Sequence, residues 1–260
     1  MVSTDLPKTG TFMTLRRFMV GSVVVCNATT TIEGDLFNHI IRVLRLGKGE
    51  KIQLVDGNGT THTGIIDRIS VHSLDVSIVS TEVVSTENQG APRITVCQAL
   101  PKGDKIDLVL QKGTELGAHD FRLFCGQRSV ARLPADRQQN KLDRWNRITS
   151  EAARQCGRHD VPTVTWSPDA QHAAYDSGNA LRLILWECER ELTLKTALST
   201  ATTPSSVIVA VGPEGGFSCE EVECFHGCGF MPVSLGSRIL RTETAALAIL
   251  AIMQYMWDGL

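Results

Sequence analysis

Two stretches of this sequence carry residue types able to hold a small ligand. The first, VIVAVGPEGGFSCEEVE (207–223), joins an apolar run to a turn with three glycines and a proline. It then enters a Ser218-x-x-Glu221 pattern, in which each side chain satisfies a backbone N–H at a helix start. Gly215 and Gly216 let the backbone approach a ligand closely or take positive φ. A loop of this kind at the carboxyl end of a parallel strand is where open α/β sheets bind ligands. Standing alone, the same residues also suit a tight strand-to-helix turn. Gly212, Gly215 and Gly216 do not fit G-x-G-x-x-G and no G-K-[ST] follows, so neither a dinucleotide fingerprint nor a P-loop is present.

The second stretch, VSLGSRILRTETAALAILAIMQYMW (233–257), repeats the design: a strand, Leu235-Gly236, a loop with two arginines, then a long apolar helix. The planar forks of Arg238 and Arg241 suit a carboxylate or phosphate. The competing reading pairs them with Glu243 or Glu214 as structural ion pairs. A further apolar run, LRLILWECERE (181–191), ends at Trp186-Glu187 and reads either as a third wall of the same cleft or as a core strand followed by solvated acids.

For these loops to meet, the chain must supply a parallel sheet. Beyond residue 90, short apolar runs alternate with helical stretches: RITVCQAL, DKIDLVLQKGTELG, the arginine-studded KLDRWNRITSEAARQ, LRLILWECE, SVIVAVG, FMPVSLG and a last helix from about Arg241. This alternation predicts a parallel sheet covered by helices on both faces. LRLILW and VIVAV are apolar almost throughout, as strands buried on both faces must be. From Arg17 to about Val84 the chain is instead rich in β-branched residues, with Asp56-Gly57-Asn58-Gly59 as a hairpin signal. One helical stretch, FNHIIRVLRL, places Phe37, Ile40, Ile41 and Leu44 at helical spacing. A small β domain is expected there. STENQGAP (85–92) reads as a linker and residues 1–15 as a flexible extension.

The chain's 260 residues, 42% of them apolar, suffice to bury a core without covalent staples. Its eight cysteines are scattered through core-like segments, which points to a reducing, cytoplasmic setting. No signal-peptide core opens the chain. The longest apolar run, Ala245 to Met253, falls far short of the roughly 18–20 residues that cross a bilayer. Cys219, Cys224, His226 and Cys228 lack the paired spacing of a zinc site, so no metal is expected.

GPEGGFS followed by LGSRILRTETAAL resembles the signature of the ribosomal RNA small subunit methyltransferase E family, which methylates N3 of a uridine in 16S rRNA and belongs to the SPOUT superfamily of knotted methyltransferases. RRF (16–18), HIIRVLRLGKGE (39–50), QALPKGDKIDLVLQKGTELG (98–117), RWNRITSEAARQCGRHDVP (144–162) and LILWECE (183–189) resemble the family's pattern in the same order. The resemblance implies an α/β SPOUT domain at 92–260 with a deep trefoil knot, an exception to the usual absence of knots. It implies S-adenosyl-L-methionine held between three loops, at Leu185, Trp186 and Glu187, at Gly212, Pro213, Glu214 and Gly216, and at Leu235, Gly236, Arg238, Ile239, Leu240 and Arg241. It further implies a PUA-like β barrel at 16–86 that grips RNA, and homodimers packed through the knot helices. Gly113 departs from the pattern, since a helix former is expected there and glycine costs about 0.5–1 kcal/mol of helix stability.

Neutral uracil N3 carries a proton, so the protein must remove it or stabilise the ring anion. Arg241 is the candidate for stabilisation, by offering charge to a uracil carbonyl oxygen, and Glu243 and Glu115 are candidates for the general base. The candidate RNA contacts are Arg16, Arg17, His39, Arg42, Arg45, Lys102, Arg128, Arg154 and Arg158. Segments 16–51 and 120–160 carry net +3 and +4, whereas 187–223 carries −5, so the overall −2 conceals a polarised chain. Solvated faces of ordinary helices would give the same counts. Two rivals share part of this reading: a SPOUT enzyme acting on tRNA or another base, and a non-catalytic RNA-binding protein. The expected partner is 16S rRNA within the 30S subunit, and the expected setting excludes a membrane.

Overall fold

The structure, a computed structural model, describes residues 15–20, 28–56, 60–83, 91–158, 160–175, 178, 180–200 and 203–257. Nearly all of the N-terminal extension, the hairpin centre Gly57-Asn58-Gly59 and most of the linker lie outside the described residues. The chain divides into two units, Met1–Val84 and Ser85–Leu260.

In the first unit, strands β1 (Arg16–Met19), β2 (Thr29–Glu33), β3 (Lys51–Val55), β4 (Thr60–Ile69) and β5 (Ser73–Val83) form one sheet in the order β1-β3-β4-β5-β2. β1 runs parallel to β3 and the other pairings are antiparallel. The two-residue period of the strands turns Ile52, Leu54, Leu74 and Val76 to a core shared with Phe18, Ile32 and Ile66. The helical stretch forms, but not as one α-helix. α1 (Gly34–Asn38) passes into a π-helical turn, His39–Val43, where the Leu44 N–H donates to the His39 carbonyl at 3.0 Å. The wider winding delivers Phe37 and Ile40 to the core and leaves Ile41 and Leu44 only half-buried. Just beyond it Arg45 takes φ 54°, in the left-handed region that a non-glycine residue rarely adopts.

In the second unit, β6 (Arg93–Ala99), β7 (Asp120–Phe124), β8 (Thr163–Ser167), β9 (Leu181–Leu185), β10 (Ser206–Val211) and β11 (Met231–Val233) form a parallel sheet in the order β11-β9-β10-β6-β7-β8. Alternate residues face opposite sides. Ile94, Val96, Val207 and Val209 join α2 (Lys105–Glu115), α3 (Gln138–Cys156), α5 (Leu194–Thr200) and α7 (Thr242–Met256) in one core. Cys97, Ala99, Ile208 and Ala210 join α4 (Ala170–Ala174) and α6 (Cys219–Gly227) in the other. Both faces are covered by helices, as the alternation predicted. Burial pushes the Cys97 thiol up to about 12, so it packs as an inert apolar group. The seven cysteines among the described residues are free thiols, and no described helix is long and apolar enough to cross a membrane.

Gly113 has a packing role that its helix propensity hides. A Cβ there would meet Phe121 Cζ and Cε1 at 2.8 and 2.9 Å and Leu250 Cδ1 at 3.3 Å, so the missing side chain is what lets α2 lie against β7 and α7. Gly113→Ala should therefore destabilise by about 1–3 kcal/mol through overpacking, outweighing the roughly 0.5–1 kcal/mol of helix propensity it restores. Thermal unfolding checks this, and a raised Tm would mean that the Phe121 ring yields at little cost.

Candidate active site

β9, β10 and β11 are neighbours with one direction, so the loops that follow them leave the same edge of the sheet. Together they line a cleft of about 860 Å3, within the range of about 300–1,000 Å3 typical of small-molecule sites. Every residue named above for the three loops lines it. The lining combines apolar groups from Leu185, Val211, Val233, Leu240 and Ala245 with the charges of Lys105, Glu187, Arg190, Glu214, Arg238 and Arg241.

The loops brace one another. After β10 the chain turns at Pro213, whose carbonyl accepts from the Gly216 N–H at 3.0 Å. Gly216 has φ +67°, and a Cβ on it would run into the Glu187 carboxylate of the neighbouring loop, so the position needs glycine on both counts. The capping box expected from the sequence then starts α6: Ser218 Oγ accepts from the Glu221 N–H at 3.1 Å, and Glu221 Oε2 accepts from the Ser218 N–H at 3.0 Å. Ser234, just after β11, is held between its N–H donating to the Leu192 carbonyl and its carbonyl accepting from the Leu194 N–H, both at 2.9 Å. Thr242 Oγ1 at the start of α7 donates to the Gly212 carbonyl at 2.6 Å.

The charges do not pair as the competing reading had it. Lys105 takes both carboxylates, its Nζ lying 2.6 Å from Glu214 Oε1 and 3.9 Å from Glu243 Oε2. Among the described residues no ion pair involves Arg238 or Arg241, and both are exposed. Burial acts to raise the Glu214 pKa, but hydrogen bonds from the Lys105 ammonium and from backbone N–H groups, including that of Lys102, hold it below the ordinary carboxylate range. Lys105 is the first residue of α2, where a cation opposes the helix dipole. Glu214 offsets that cost. Glu115 does not reach the cleft. It ends α2, ten residues and about 15 Å of helix beyond Lys105, and its carboxylate is paired with Lys112 Nζ at 2.8 Å.

The sequence matches the family model of an RNA methyltransferase domain over residues 88–254, and that of an RNA methyltransferase PUA domain over residues 32–79. It is 32% identical over 236 residues to the ribosomal RNA small subunit methyltransferase E of Bacillus subtilis, spanning 88% of this chain and 91% of that one. The chain belongs to the ribosomal RNA small subunit methyltransferase E family. Two solved structures resemble it closely in fold. One is a methyltransferase E from Neisseria gonorrhoeae bound to S-adenosyl methionine, with a TM-score of 0.80, 31% identity and coverage of 94% of this chain and 98% of that one. The other is a Legionella pneumophila methyltransferase in complex with bound SAM, with a TM-score of 0.80, 29% identity and coverage of 93% and 97%.

Among the described residues the basic side chains sort into free and engaged groups. Arg42 and Arg45 are exposed in the first unit, as are Lys102 and Arg154 in the second. Arg16 is exposed, and its Nη1 donates to the Leu44 carbonyl at 3.2 Å. Arg17 donates to Gln53 Oε1 at 3.4 Å, and His39 stands edge-on to Phe18 at 6.4 Å. Arg128 Nη1 donates to the Gly215 carbonyl at 3.1 Å, which ties a basic loop to the glycine-rich turn. Arg158 is a correction to the sequence reading. Its side chain is only 13% exposed, its Nη1 donates to the Thr114 and Ala118 carbonyls at 2.9 and 2.6 Å, and its other donors meet Asp160. It closes the C-terminal end of α2, where orphan carbonyls and the dipole favour a cation, and is not free for phosphate. Sequence reasoning missed Lys105, Cys188, Arg190, Ser237 and Thr242 in the cleft lining. Proximity to Arg241 could have found Ser237 and Thr242, but nothing local marks Lys105, which lies 109 positions from Glu214.

The depressed Glu214 carboxyl gives a pH test. Its contribution is complete above the ordinary pKa of 4.5 and is lost as pH falls through the lower folded value. The Tm difference between the unaltered protein and Glu214→Gln should be largest near neutrality and should close in acid. A difference unchanged down to about pH 3 would mean that charge is not what the pair contributes.

Proposed function

We propose that this chain transfers the methyl group of S-adenosyl-L-methionine to N3 of a uridine in 16S rRNA of the small ribosomal subunit. One cleft built from three adjacent strand ends carries this proposal, since it holds two arginines that no carboxylate among the described residues neutralises. The cleft fits the cofactor chemically. Glu187 suits a cationic ligand, Arg238 and Arg241 suit a carboxylate, and the apolar lining suits a flat ring. When bound, S-adenosyl-L-methionine supplies a methyl group made electrophilic by its positively charged sulfur.

The residues' tasks follow from the target's acidity. Arg241, the N-cap residue of α7, offers charge to a uracil carbonyl oxygen as the ring becomes anionic. Glu243 is the remaining candidate for the proton acceptor. It sits one residue beyond Thr242 and behind the cleft lining, and its Oε2 is buried with no hydrogen bond among the described residues and Lys105 Nζ at 3.9 Å. The neighbouring loop residues hold the cofactor, and alignment of the reacting atoms supplies much of the rate.

On this proposal the chain comprises a PUA-like barrel at 16–86 that grips RNA and a SPOUT domain at 92–260 with a deep trefoil knot. The knot is what the family resemblance implies; the parallel bridge between Thr193 and Ser234 adds only that the segments following β9 and β11 lie side by side. A homodimer through α7 is supported by the exposed apolar side chains of Ile252, Tyr255 and Met256. The free thiols suit the cytoplasm. The assembled 30S subunit is the proposed substrate.

Arg241→Ala should lower turnover about 10²–10³-fold at saturating cofactor and RNA. Mass spectrometry of nucleosides after incubation with 30S subunits, naked 16S rRNA and tRNA reads both the base modified and the substrate. Methylation confined to tRNA, or to a ring position other than N3, would replace this reading with its SPOUT rival.

The exposed arginines give a second test. Arg45 holds its guanidinium outward on a left-handed backbone that costs about 1–2 kcal/mol for an L-residue. Arg45→Gly should leave Tm equal or higher while reducing the salt slope of RNA binding by about 1. An unchanged slope would clear Arg45 of phosphate contact.

A further inference from the structure

Gln98 is a primary amide near the carboxyl end of β6, one of the two middle strands of the six-stranded sheet. It lies on β6, in register with Val211 of β10 and Leu123 of β7, and is fully buried. Its Nε2 lies 2.8 Å from the Ala99 carbonyl, 3.0 Å from Thr242 Oγ1, and 3.4 Å from both the Val211 and Gly212 carbonyls. Its Oε1 is buried with no hydrogen-bond partner among the described residues. A buried orphan acceptor is costly and rare in native proteins, and a methionine would fill the same space without one.

The amide's orientation is fixed by its surroundings. Reversing it would aim Oε1 at three carbonyl oxygens, so the N–H groups must face them. The Thr242 hydroxyl has one proton, which goes to the Gly212 carbonyl at 2.6 Å, so its oxygen is left to accept from Gln98. The bonds therefore run in one direction, from Gln98 Nε2 to Thr242 Oγ1 to the Gly212 carbonyl. They join the first residue of the glycine-rich turn to the residue directly after Arg241.

We propose that Gln98 is a positioning residue for the cleft: it orients the Thr242 hydroxyl and so fixes the spacing between the Gly212 turn and Arg241, which must close on one ligand. This rests on the cofactor reading above and adds to it a residue outside the cleft lining. The orphaned Oε1 is the stability given up for that placement.

The test uses full-length Gln98→Met, Thr242→Val and the double variant, with Tm by calorimetry, S-adenosyl-L-methionine affinity by titration calorimetry, and steady-state methylation. Gln98→Met should keep or raise Tm while weakening cofactor binding about two- to tenfold, the scale of one hydrogen bond. KM for the cofactor should rise with kcat changing less. Because the bonds act in series, the double variant should bind no worse than the weaker single one. Gln98→Glu should be worse than Gln98→Met, since a carboxylate would draw the Thr242 proton away from Gly212.

Unaltered cofactor affinity in Gln98→Met overturns the proposal. So does weakened binding that only tracks a lowered Tm, and so do single effects that simply add. If the unaltered protein itself binds no S-adenosyl-L-methionine, the cofactor reading fails and takes this inference with it, whereas normal binding there with unaffected variants overturns the inference alone.

Discussion

A sheet buried on both faces has nowhere to offer polar backbone except at its ends, because every N–H and C=O along the strands is spent on the ladders. That constraint shapes the second unit. Two cores cover the six parallel strands, so chemistry is displaced to the carboxyl edge, where β9, β10 and β11 release their loops together. Parallel direction makes the three loops neighbours, and neighbouring loops make a cleft. The cleft depends on this geometry before it depends on any one side chain.

Within that cleft, charge is sorted by helix starts. α2 begins on Lys105 and α7 follows Arg241, two cations placed where the dipole disfavours them. Glu214 neutralises the first, and no carboxylate among the described residues matches the second. An anionic group arriving in the cleft therefore meets Arg241 and Arg238 rather than a network already satisfied. The same ion pair holds the glycine-rich turn against the start of α2, so electrostatics and loop shape are set by one contact.

Much of this was legible in the residues. The Ser218-x-x-Glu221 pattern announced α6 because a capping box is local, and LRLILW and VIVAV announced buried strands because continuous apolarity has few other uses. β7 and β8 were not singled out, since DFRLF and TVTWS are short and mix polar residues with apolar ones. The π-helical turn escaped because helical spacing predicts only that a helix forms, not how widely it winds. Arg158 was misread as a phosphate contact, since a basic residue in a basic segment looks free until its carbonyl partners, some 40 and 44 positions away, are known. Gln98 and Lys105 lie in a segment that resembles the family's pattern, but their individual roles were not legible, because their partners are distant in sequence.

That distance has a consequence for how the protein is made. β6 pairs with β10, and the two strands meet at residues 113 positions apart. At synthesis rates of about 5–20 residues per second, an apolar strand waits about 5–20 s before its neighbour exists. β7 covers one edge of β6 sooner, but the other stays open until β10 has emerged, and the bonds around Ser234 require β11 after that. An edge left open for seconds is a template for pairing with another chain. One of the two middle strands of the sheet is thus the first of the six to be made and stays open until its partner emerges, so translation speed through residues 100–211 sets how long that edge is exposed to misassociation.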